Sequence, residues 1–125
     1  MTRLFDSTVL IAHLRGDMRA TSLVREAVAA GEAAASVLSR VEIEGGMRSA
    51  ERAVVSQLFH AIDLAPVTDA IASAAGAMLR EFRRSHRGID VVDYVIAATA
   101  RTMDAELLTL NVRHFPMFED LRPAF

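Results

Sequence analysis

Residues 3–14 read Arg3-Leu4-Phe5-Asp6-Ser7-Thr8-Val9-Leu10-Ile11-Ala12-His13-Leu14. Arg3-Leu4-Phe5 turns from a charge to two large apolar side chains and stops at an acid, the pattern of a short strand. Ser7 and Thr8 offer N-cap hydroxyls to Val9–Leu14, an apolar run of helical type that Gly16-Asp17 breaks. A strand that hands an acid straight into a helix sets the expectation for everything downstream.

The same alternation continues outward. Leu23, Val24, Ala27 and Val28 fall at helical spacing within residues 19–30, and Gly31 fits the C-cap. Residues 33–38 form a short apolar run of buried-strand type. Ser39 is placed to cap a helix through Met47, its end weakened by Gly45-Gly46. Residues 50–60 read as a helix, and Ile62-Asp63-Leu64 as a strand that Pro66 ends. Thr68 caps a long helix to about Arg84. Residues 85–88 read as a loop, 89–102 as an alanine-rich helix and 107–110 as a fourth strand. Val112 to Phe118 reads as a turn or short helix, and 121–125 as a closing edge strand. Strands alternating with helices imply an α/β fold, a parallel sheet covered on both faces. Ligands of such sheets bind outside the carboxyl ends of the strands.

The chain has 125 residues, one domain's worth, 52% hydrophobic and 24% charged, with a formal net charge of −2. That balance excludes a strongly basic nucleic-acid coat, though not a local basic patch. There is no cysteine, hence no disulfide framework, zinc finger or thiol nucleophile. All 14 basic residues are arginine. The missing lysine removes a Walker A loop, Schiff-base chemistry and a receiver-domain phosphorylation site. The N-terminus lacks the apolar region of a signal peptide, and no apolar stretch reaches the ~20 residues of a membrane span. The expected location is the cytoplasm.

Strand and helix ends sort the acids. Asp6 ends the first strand, and Glu42 lies near the start of the helix after the second. Asp90 and Asp93, three residues apart and so on one helix face, open the helix that leads to the fourth strand. Asn111 ends that strand. All belong at one sheet edge. Asp104 precedes the fourth strand and belongs at the opposite edge, and Asp63 sits inside a strand and can point either way. Gathered carboxylates repel one another unless a cation neutralises them. Oxygen ligands without cysteine favour Mg²⁺ or Mn²⁺ over zinc. Such an ion polarises a phosphate and activates a bound water. The competing reading is that each acid only caps a helix.

The segments FDSTVLIAHL (5–14), ASVLSRVEIEGG (35–46), DVVDYVIAATA (90–100) and LLTLNVRHF (107–115) resemble, in order and spacing, those of PIN-domain ribonucleases, VapC-type toxins above all. The resemblance covers nearly the whole chain, and DYVIAATA with LLTLNVRHF is its most specific part. It implies one three-layer α/β/α PIN domain over residues 1–125, with a mostly parallel sheet of four or five strands. It also implies a metal-dependent endoribonuclease, with Asp6, Glu42, Asp93 and Asp90 as catalytic metal ligands for Mg²⁺ or its substitute Mn²⁺. A homodimer and a VapB-like antitoxin, whose tail enters the acidic groove, complete the implied partners. Three positions depart from the family pattern. Asp6-Ser7-Thr8 stands for the usual D-T-S, Asn111 stands where many members carry Asp, and His114 replaces the usual acid before Phe115.

Around these acids, Thr8 is either a cap or a hydrogen-bonding group of the site, and Asn111 either orients a water or satisfies the strand end. Thr109 reads first as a strand residue, and His114 first as packing beside aromatic neighbours. Arg80, Arg83, Arg84 and Arg87 cluster just before Asp90. Arg83, Arg84 and Arg87 are candidates for holding RNA phosphates; the alternative is a solvated helix end whose cations complement the dipole. The small residues of 68–79 suit close helix packing, in the core or across a dimer. Two other functions compete: a non-catalytic PIN-fold binding module, and a haloacid-dehalogenase-like phosphatase. Thr8, where that phosphatase wants a second Asp, and the lack of lysine argue against the last.

Overall fold

Each strand is three or four residues long, and alternate side chains serve opposite layers. The computed structural model describes all residues, Met1–Phe125. Its elements run β1 (Arg3–Phe5), α1 (Ser7–Leu14), α2 (Met18–Ala29), β2 (Ala33–Ser36), α3 (Val37–Gly46), α4 (Arg52–Ala61), β3 (Asp63–Ala65), α5 (Asp69–Phe82), α6 (Val91–Thr102) and β4 (Glu106–Leu108). Single 3-10 turns lie at Ser49–Glu51 and Val112–His114. All three strand pairings are parallel, in the order β3-β2-β1-β4.

Period-two alternation builds two cores. Leu4, Ala34 and Leu107 face the layer of α5 and α6, where Ile71, Ala75, Met78, Tyr94 and Phe115 pack. Phe5, Ala33, Ala35 and Leu108 face the layer of α1–α4, with Val9, Leu10, Val24, Ile43 and Phe59. β2 is Ala33-Ala34-Ala35-Ser36 and wholly buried. Alanine is a poor strand former, but its small side chain lets helices close on both faces.

The chain builds outward from β1 through β2 to β3, then returns across the sheet to place β4 on the other side of β1. The order therefore reverses beside β1, and the crevice of such sheets opens at that reversal, at the carboxyl ends. Asp6 follows β1 and Thr109–Asn111 follow β4, so both lie at the mouth of this crevice.

The boundaries correct several sequence expectations. β2 ends at Ser36, and Ser36 rather than Ser39 caps α3, its hydroxyl accepting from Leu38 N at 3.1 Å. Asp6 itself, not Ser7 or Thr8, caps α1. β3 runs from Asp63 to Ala65 and β4 from Glu106 to Leu108. Residues 121–125 form no strand. One backbone bond, Ala124 N to Thr109 O at 2.8 Å, tethers them, and Pro123 breaks any ladder by lacking an N–H. No helix is long and apolar enough to cross a membrane.

Candidate functional site

Asp6 is 4% exposed, at the point where β1 becomes α1. Its backbone continues the ladder, donating to Leu108 O at 3.0 Å. Its Oδ1 accepts from Thr8 N at 3.0 Å, from Val9 N at 3.4 Å and from the Thr8 hydroxyl. Its Oδ2 accepts from the fully buried Thr109 hydroxyl at 2.5 Å. Thr109 Oγ1 in turn accepts from Asn111 N at 2.9 Å, and Thr8 Oγ1 accepts from Leu110 N at 3.0 Å. Both threonines thus tie the end of β1 to the end of β4. Burial nevertheless pushes the Asp6 carboxyl above its ordinary range, and these hydrogen bonds only partly offset it.

Glu42 stands midway along α3 rather than near its start, and accepts from the Ser7 hydroxyl at 2.7 Å. Asp90 is the N-cap residue of α6 by backbone geometry, yet its side chain makes no cap hydrogen bond. Capping therefore does not account for that carboxylate. Asp93, in the first turn of α6, pairs through Oδ2 with His114 Nδ1 at 2.8 Å. Burial raises the Asp93 carboxyl, the His114 bond and charge pull it down, and the nearby Glu42 charge pushes it up.

These side chains line one cavity of about 210 Å³: Asp6, Glu42, Asp90 and Asp93, with Thr8 and Asn111. Ser7 and His114 complete its polar wall. His114 is its one titratable nitrogen, and no arginine lines it. No group of three or more His, Cys, Asp or Glu side chains converges closely enough to enclose an ion as it stands. The donor set still suits a hard divalent cation: it is oxygen-rich and thiol-free, and its buried Asp6 and half-buried Asp93 carboxylates are costly to ionise alone. Glu42 and Asp90 are exposed, the Asp90 carboxylate has no side-chain hydrogen bond, and Asp6 Oδ2 has a single hydrogen-bond donor.

The arginines divide. Arg87 lines a cavity of about 670 Å³ that borders the acidic one. Arg83 and Arg84 are exposed in the turn after α5 and line neither cavity. Asp104 lies before β4, at the opposite sheet edge, in a left-handed conformation with φ 51°. Three contributors lie beyond what the local sequence signals: His114 against Asp93, Thr109 against Asp6, and Arg113 in the bordering cavity. The pairing of β1 with β4 is what reveals them.

The PIN domain family model matches residues 3–119. Ribonuclease VapC10 of Mycobacterium tuberculosis is 52% identical over 122 residues, 98% of this chain and 92% of the relative. Ribonuclease VapC19 of the same organism is 49% identical over 124 residues, 98% and 99% of the two chains. Among solved structures, the DNA-bound VapBC of Salmonella typhimurium superimposes with a TM-score of 0.81 at 18% identity, over 98% of this chain and 96% of that one.

Proposed function

The chain belongs to the PIN domain family, and from that premise we propose that it is a VapC-like toxin: a metal-dependent endoribonuclease, restrained by a VapB-like antitoxin. Residues 1–125 act as one PIN domain, in the cytoplasm. The observation that carries the reading is one cavity at the carboxyl ends of β1 and β4, lined by Asp6, Glu42, Asp90 and Asp93 from three separate segments. Two relatives near 50% identity over almost the whole chain bear the name ribonuclease, which supports the substrate class.

Asp6, Glu42, Asp90 and Asp93 would hold Mg²⁺ or Mn²⁺. Bound there, the ion supplies charge neutralisation at the scissile phosphate and lowers the pKa of a water. The remaining work belongs to the chain itself. Thr8 and Thr109 fix the Asp6 carboxylate against rotation. Asn111 lines the cavity with an uncharged amide, able to hydrogen-bond a phosphate oxygen or a water without adding to the negative charge. Ser7 orients Glu42, and His114 orients Asp93. Arg87 supplies a cationic contact to the RNA backbone, and Arg83 and Arg84, farther out, add only long-range attraction. A homodimer fits the exposed small residues Ala72, Ser73, Gly76 and Ala77 on the outer face of α5, whose inner face packs in the core.

The test is purified protein with a mixed RNA substrate, with and without Mg²⁺, beside Asp6→Asn. Internal cuts that need the metal and vanish in the variant support the enzyme. One observation favours the second reading, a non-catalytic binding module: Glu42 and Asp93 are already hydrogen-bonded within the protein. RNA binding without any cleavage, in wild type and variant alike, would select it.

A further inference from the structure

A second cavity borders the acidic one at Asn111. Asn111 and His114 line the acidic cavity and also line this larger one of about 670 Å³, so the two adjoin along these residues. The walls of the second cavity come from two segments. Residues 85–89 carry His86 and Arg87 after α5, and 111–116 carry Arg113 after β4. No carboxylate lines it. Arg87 and Arg113 are both exposed and both free of ion pairs. The arginine–carboxylate pairs of the chain are elsewhere: Arg3 with Glu26 and Glu32, Arg19 with Asp17, and Arg40 with Glu44.

Both walls are held in place. Gly88 takes φ +86°, a conformation that L side chains rarely adopt, where the chain turns between Arg87 and Asp90. The second wall is anchored by buried Phe115 and Met117, and by Arg101, whose guanidinium donates to Met117 O and stands 5.2 Å from the Phe118 ring centroid.

We propose that this second cavity is a backbone-phosphate subsite for RNA, in which Arg113 and Arg87, one from each of its two lining segments, hold the strand on one side of the phosphate held among the acids. The inference rests on the ribonuclease reading and adds a residue and a direction to it. Unpaired guanidiniums without a competing acid bind a phosphodiester strongly, whereas the acidic cavity alone repels one. Arg113 is the specific addition. Arg83 and Arg84 line no part of the path, so their share of RNA binding is small.

Two measurements test this. The first is binding of a single-stranded RNA to the full chain in EDTA, followed by fluorescence anisotropy across a salt series. Arg113→Ala and Arg87→Ala should each weaken binding and lower the salt slope by about 0.7, the value for one lost single-strand phosphate contact. Arg83→Ala and Arg84→Ala should change the slope far less. The second is cleavage, with Mg²⁺, of substrates shortened one nucleotide at a time from either end. Shortening on one side should lower kcat/KM for wild type. The same shortening should cost the Arg87→Ala/Arg113→Ala double variant nothing further.

An unchanged salt slope in Arg113→Ala overturns the subsite, and so does a double variant as sensitive to shortening as wild type. If RNA binds with the predicted slopes but is never cut, the subsite stands and the nuclease reading falls. If RNA is cut but Arg113→Ala behaves as wild type, the reverse holds.

Discussion

Thr109 and Asp6 are 103 residues apart in sequence and 2.5 Å apart in space. That contact carries much of the site's order, because the same hydroxyl accepts from Asn111 N. Thr109→Val should therefore leave the buried Asp6 carboxylate short of a donor and the half-buried Asn111 N–H without its acceptor. A loss of about 1–3 kcal/mol is expected, read as a lower urea midpoint at unchanged slope, with Thr109→Ser recovering most of it. Asp93 tests electrostatics instead. Its folded pKa lies above the unfolded value of about 3.9. The native state thus binds more protons than the unfolded chain between those two values, and stability falls as pH rises through that interval. In metal-free protein, Asp93→Asn should melt at the wild-type temperature below the interval and above it at neutral pH. Its Oδ1 can still accept from His114. A variant that melts lower than wild type at pH 7 would mean that the His114 pairing outweighs burial.

At the level of elements, strand direction decides which acids matter. Asp6 and Asn111 follow β1 and β4, whereas Asp104 precedes β4. Asp104→Asn should leave RNA cleavage unchanged and shift stability by no more than about 0.5 kcal/mol, because asparagine tolerates the left-handed conformation there. Lost cleavage in a folded Asp104→Asn protein would contradict this placement and implicate Asp104 in the site. Much at this scale is legible in sequence. A strand that stops at Asp6, and Asp90 with Asp93 at i and i+3, follow from local pattern. The cap of α3 does not, because Ser36 and Ser39 both carry hydroxyls and only the end of β2 chooses between them. The C-terminal tail misleads for a similar reason. Its apolar residues Leu121, Ala124 and Phe125 pack against the two cores without joining the ladder.

For the molecule as a whole, a formal net charge of −2 conceals a division of labour. Carboxylates line one cavity, and unpaired arginines line the one that adjoins it. Asp6, Asp90 and Asp93 could be read from the sequence, since each sits at the end of an element, whereas Glu42 lies midway along α3 and is legible only through the family resemblance. Arg113 and His114 could not be assigned to the candidate site, because their neighbours come from α6 and the 85–89 turn, more than 20 residues away in sequence. The central claim is that the carboxyl-end acids, and not the chain's other carboxylates, form a divalent-cation site. Titrating Mn²⁺ into wild type, Asp93→Asn and Asp104→Asn by calorimetry tests it most directly. The expected result is saturable binding in wild type and Asp104→Asn that is lost or weakened at least tenfold in Asp93→Asn. Binding by Asp93→Asn equal to wild type, or its loss in Asp104→Asn alone, would contradict the account.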